Sequence, residues 1–93
     1  MDNDYIQEWI ADYNEEALLA NGFEDALLGI CERFGHGPVV AYDYQKCIDT
    51  LIHRDGMTHE EAEEYFEVNV LGAWMGEGTP VFITLQPKNS DHN

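Results

Sequence analysis

Residues 26–42 read ALLGICERFGHGPVVAY, and their interpretation decides between an all-helical chain and a mixed one. The segment from Ala26 to Phe34 is apolar and then mixed, with Leu28, Ile30 and Cys31 prominent. It is followed by Gly35-His36-Gly37-Pro38 and then by the β-prone run Val39, Val40, Ala41 and Tyr42. Two such runs around a Gly and Pro turn describe an antiparallel hairpin. The competing reading makes residues 15–33 a helix, because Glu, Ala and Leu are strong helix formers. Residues 15–42 therefore carry two readings, of which the hairpin is the one followed.

On the N-terminal side, Tyr5, Ile6, Trp9, Ile10 and Tyr13 recur at spacings of three and four within residues 4–14, the stripe of an amphipathic helix. On the C-terminal side, Tyr44, Cys47, Ile48, Leu51 and Ile52 form a second stripe that ends in Arg54-Asp55-Gly56, with Gly56 suited to a left-handed cap. A third helix follows at once. Thr58 with Glu61 three residues later is a capping box, and Glu60 and Glu61 put negative charge in the first turn, where the helix dipole favours it. Its core side is read as Ala62, Tyr65, Phe66, Val70 and Trp74. The second and third helices then form an αα-hairpin. Gly72, Gly76, Gly78 and Pro80 break the helix, and Val81 to Leu85 reads as a closing strand. The expected fold is α+β: a small antiparallel sheet of about three strands packed with three helices including the αα-hairpin. Residues 1–93 make one domain, with 86–93 as a frayed tail.

Charge is the abnormal property. Nineteen Asp and Glu stand against four Lys and Arg, a formal charge of −15. Binding to nucleic acid relies on Lys and Arg neutralising phosphates, so direct nucleic-acid binding is not expected, nor is attachment to an anionic membrane. No apolar run reaches the length of a membrane span, and the start Met1-Asp2-Asn3-Asp4 is acidic where a secretory signal is basic. Cys31 and Cys47 are isolated and read as free, buried thiols of a reducing compartment. The expected location is the cytoplasm.

Candidate chemistry is thin. His53 and His59 flank the turn between two helices, but their spacing matches no zinc pattern. Asp43, Asp49 and Asp55 recur every six residues and lack the alternate-position ligands of a calcium loop. Nothing sets a thiolate beside a base. No catalytic residue, cofactor or metal site is expected. The acidic residues say more by position. Asp4, Glu8 and Asp12 fall at i, i+4 and i+8 in the first helix, and Glu60 with Glu64 and Glu63 with Glu67 repeat that spacing in the third. Like charges so placed repel by a few tenths of a kcal/mol per pair, and no Lys relieves them. These seven are the candidate binding residues, with those of the third helix ranked first because its cap and core stripe hold it rigid.

The string RDGMTHEEAEEYFEVNVLGAW at 54–74, continued by GEGTP at 76–80, resembles small acidic proteins encoded in phage and prophage genomes. GFEDA at 22–26 and YDYQKCI at 42–48 are similar to the same group. That group carries no assigned activity, so no catalytic residue follows from the likeness. What the resemblance implies is a setting, the cytosol of a phage-infected bacterium. By analogy with short phage proteins that bind host machinery, some as DNA mimics, the leading expectation is a non-enzymatic binding protein or inhibitor for a basic, nucleic-acid-binding host protein. The alternatives are an assembly protein that forms a homodimer through aromatics around Tyr5, Trp9, Trp74 or Phe82, and a small metal-dependent enzyme.

Overall fold

The computed structural model describes the backbone of residues 3–73 and 75–87, with side chains from Tyr5 onward. Trp74 and the tail beyond Pro87 lie outside the described residues, as do the expectations attached to them. The described residues comprise three helices and one three-stranded sheet, an α+β arrangement.

α1 spans Asn3–Ala11. Its spacing buries Ile6 and Ile10, whereas Tyr5 and Tyr13 of the expected stripe face outward. The helix ends at Ala11, short of the expected residue 14, and the chain turns away at Asn14, whose side-chain amide donates to the Pro38 carbonyl and whose Oδ1 accepts from the Glu16 N–H. Residues 15–23 are not helical, despite their composition. Their backbone is held from outside: Leu18 N–H donates to the Gly78 carbonyl, and Ala20 N–H to the Tyr42 hydroxyl at 2.8 Å. Tertiary hydrogen bonds here override local propensity.

A short 3₁₀ turn at Glu24–Ala26 leads into β1, Leu27–Arg33, which pairs antiparallel with β2, His36–Asp43, across a two-residue loop. The hairpin reading holds and the helical alternative for residues 15–33 does not. β2 is the central strand. Val40 and Tyr42 belong to the main core cluster, and Val39 and Ala41, which the pleat turns the other way, are also buried, outside that cluster, together with Ile6.

α2, Tyr44–Asp55, begins on Asp43, whose carboxylate accepts from the Lys46 N–H. It buries Cys47, Ile48 and Leu51 and stops at Gly56, in the left-handed region at φ 72°. α3, His59–Phe66, starts at the expected capping box: Thr58 Oγ1 accepts from Glu61 N–H and Glu61 Oε1 accepts from Thr58 N–H. It buries Ala62 and Phe66, while Tyr65, expected in the core, is outward. A π-helical turn at Glu67–Leu71 widens the last part of the helix.

The third strand corrects the expected sheet. β3, Val81–Ile83, runs parallel to β2, with Ala41 opposite Val81 and Tyr42 opposite Phe82, so the sheet is mixed and not antiparallel. The connection through residues 44–80 contains both α2 and α3, a crossover that returns the chain in the same direction. Gly78 admits the close approach that this return needs, since a Cβ there would overlap the Glu16 carbonyl oxygen. Phe66 is the hub of the core, edge-on to Phe23, Tyr44 and Phe82 with ring centroids 5.0–5.8 Å apart, and Tyr42 stacks on Phe82.

Candidate functional site

α3 presents its glutamates by arithmetic. At about 100° per residue, Ala62 and Phe66 define the buried side, and Glu63, Glu67, Glu60 and Glu64 follow one another around an arc of about 100° on the other side. Glu60, Glu64 and Glu67 are exposed and Glu63 is half-buried. Glu67 stands at the C-cap of α3 and keeps helical geometry at φ −63°, ψ −41°, so its i, i+4 relation to Glu63 survives the wider turn that follows. Two features hold the arc rigid, the capping box at one end and the Phe66 ring cluster beneath it.

Little counter-charge reaches this arc. Of the basic residues described, Arg33 donates to the Gly37 and Glu77 carbonyls. Lys46 lies on α2, and Arg54 pairs with Asp55 through two hydrogen bonds of 3.0 Å. On α3 itself, His59 Nδ1 lies 3.8 Å from Glu63 Oε1, a contact that carries charge only when the imidazole is protonated. The field of the arc is felt nearby. Burial raises the Tyr44 hydroxyl above its ordinary range, and the charges of Glu63 and Glu67 raise it further.

The α1 row is different. Glu8 and Asp12 are exposed beside Tyr5 and Trp9, while the Asp4 side chain lies outside the described residues. α1 is not among the elements closely packed on α3, whose main neighbours are α2 and the π-helical turn.

An apolar strip borders the α3 arc, and the sequence reading missed it. Met57, Tyr65 and Val68 form an open groove of about 460 Å³ with Glu61, Glu64 and Asn69. Val68 is 68% exposed and Tyr65 42%. Tyr65, expected on the core side with Ala62, Phe66 and Val70, lies outward instead. Its spacing of three from Val68, off the Ala62–Phe66 line, is the signal that separates the two sides. Of the aromatics expected to form a dimer patch, Tyr5 is exposed and Trp9 half-buried, but Phe82 is engaged with Phe66 and Tyr42 and Trp74 is not described.

The remaining candidates have local duties. Asp43 caps α2, Asp49 accepts from the Gln45 amide, and Asp55 binds Arg54. His53 and His59 are exposed at the turn. Among the described residues no group of three or more His, Cys, Asp or Glu is arranged to hold a metal ion. Both cysteines are free, Cys47 fully buried and Cys31 only half-buried, which corrects the expectation for Cys31. Among the described residues no helix is long and apolar enough to cross a membrane. No family model, curated protein or solved structure matches the chain.

Proposed function

We propose that the protein is a non-enzymatic acidic binding protein whose α3 glutamates, Glu60, Glu63, Glu64 and Glu67, engage a Lys- and Arg-rich surface of a host protein in the bacterial cytosol. The observation that carries this reading is the four-glutamate arc, presented on a rigid support with no Lys or Arg on the helix. A rigid support limits the entropy lost on association, and a single sign of charge steers a basic partner. The resemblance to small phage-encoded proteins implies only a setting, the cytosol of an infected bacterium; a host target and an inhibitory role come by analogy with other short phage proteins. DNA mimicry is the narrower form of the reading. α3 has eight residues and is about 12 Å long, enough for about three to four phosphates at single-strand spacing. A mimic of that length covers only a short basic groove.

Proteins captured from bacterial lysate at low salt supply the partner, and the test is what two charge reversals do to its affinity. Glu60→Lys with Glu64→Lys, and Glu63→Lys with Glu67→Lys, are expected to weaken binding and slow association. Each reversed pair stays like-charged, but the new Lys face the remaining glutamates at i, i+3 and the net negative charge falls, so melting temperature is expected to change little, with Glu60→Lys giving up its favourable place in the first turn of α3. Reversal of Glu8 and Asp12 is expected to matter less. Affinity that survives both α3 reversals, or that does not fall with salt, refutes the reading. The exposed Tyr65 and Val68 favour a second reading, self-association through that face, which sedimentation at high concentration decides.

A further inference from the structure

The groove beside the glutamate arc narrows the chemistry of the partner, and this step rests on the reading above. We infer that Met57, Tyr65 and Val68 seat apolar side chains of an amphipathic basic segment, whose Lys or Arg residues on the adjoining flank meet Glu60 and Glu64.

Three observations lead to this occupant. First, the groove lining is both apolar and acidic, Met57, Tyr65 and Val68 with Glu61 and Glu64, and Glu64 belongs both to the lining and to the arc. Apolar and acidic side chains in one lining are the complement of a segment with apolar residues at spacings of three and four and cations beside them. Second, Tyr65 and Val68 are off the core side of the helix, 42% and 68% exposed, while Ala62 and Phe66 are fully buried; Met57, before α3, is half-buried and packs against the core as it lines the groove. Among the described residues, Tyr65 and Val68 are not part of the core cluster or of the hydrophobics packed against it. Third, charge argues against the two other occupants. A second copy would set one glutamate arc near another in a molecule of charge −15. A surface that only counted phosphates would have no use for a tyrosine and a valine beside the carboxylates.

The test uses the full chain and two short helical peptides of equal positive charge, one of Leu and Lys with the leucines on one side, the other with Ser replacing every Leu. Binding is followed at low salt by fluorescence anisotropy and by amide and methyl NMR shifts. The Leu/Lys peptide is expected to bind about tenfold more tightly, with the largest shifts at Met57, Tyr65 and Val68. Val68→Ser and Tyr65→Ser together are expected to reduce it to the level of the Ser/Lys peptide while leaving the melting temperature near that of the parent. Equal affinity of the two peptides, with shifts on the glutamates alone, overturns the inference and leaves the acidic-surface reading standing. Failure of both peptides to shift α3 overturns both. Shifts at Val68 that grow with protein concentration in the absence of peptide overturn it in favour of a homodimer.

Discussion

At the scale of single residues, the stability of this chain is concentrated in a few buried side chains with several duties each. Phe66 touches three other rings and ties α3 to α2, to the 3₁₀ turn region and to β3. Truncation leaves a cavity that none of those elements can close alone, so Phe66→Ala is expected to cost about 3–5 kcal/mol in urea unfolding. Cys47 is a second such residue. Burial, reinforced by the charge of Asp43, pushes its thiol from 9.0 up to about 12. Between those values the unfolded chain gives up a proton that the folded chain retains. Stability is therefore intact below pH 9.0 and declines as pH rises toward about 12, with Tyr42 and Tyr44, also raised by burial, acting in the same direction. Cys47→Ala is expected to flatten that alkaline slope in melts recorded across the range. Native-state alkylation should label half-buried Cys31 well before Cys47.

At the scale of elements, the αα-hairpin is specified by its joints. Gly56 closes α2 and the Thr58 box opens α3 within the three residues 56–58, which leaves no slack for the helices to separate. Thr58→Ala removes one half of the reciprocal bonding and is expected to cost about 1 kcal/mol, read as a lower urea midpoint. Since the same joint supports the glutamate arc, faster amide exchange at Glu60 and Glu61 is expected to accompany it. The C-terminal end of α2 has its own tie, where Arg54 donates to the Gly22 carbonyl at 2.7 Å, pairs with Asp55 and lies over the Phe23 ring. One exposed cation thereby anchors the loop that precedes the hairpin.

At the scale of the whole molecule, the formal charge of −15 sets the response to solution conditions. Self-repulsion opposes the compact state, and the Debye length falls from about 30 Å at 0.01 M to about 10 Å at 0.1 M salt. Melting temperature is therefore expected to rise with added salt over that interval, while affinity for a basic partner falls. Opposite salt responses of fold and binding, measured on one sample series, separate lost affinity from unfolding. A melting temperature that is flat or falls with salt would show that the repulsion is too diffuse to matter.

The amino-acid sequence by itself determined the features that depend on neighbours a few residues apart. It specified α2 and α3 through their periodicity, the Gly56 and Thr58 joints through cap chemistry, the hairpin through two β-prone runs around Gly35, although the turn falls at residues 34–35 and Pro38 lies within β2, and the acidic spacing through simple counting. Tertiary structure decided the rest. Residues 15–23 stay out of a helix where Tyr42 and Gly78, distant in sequence, accept the Ala20 and Leu18 N–H groups, a competition that helix propensity does not register. The parallel course of β3 follows from how far residues 44–80 carry the chain before it returns, and a strand of three residues contains no sign of its direction. Tyr65 faces outward because the contacts of Phe66 with Phe23, Tyr44 and Phe82 select the Ala62–Phe66 line as the buried side of α3, and Tyr65 falls about 100° from Phe66 around the helix. Local patterns record local energies, whereas sidedness and strand direction arise from contacts between segments that meet only after the chain has folded.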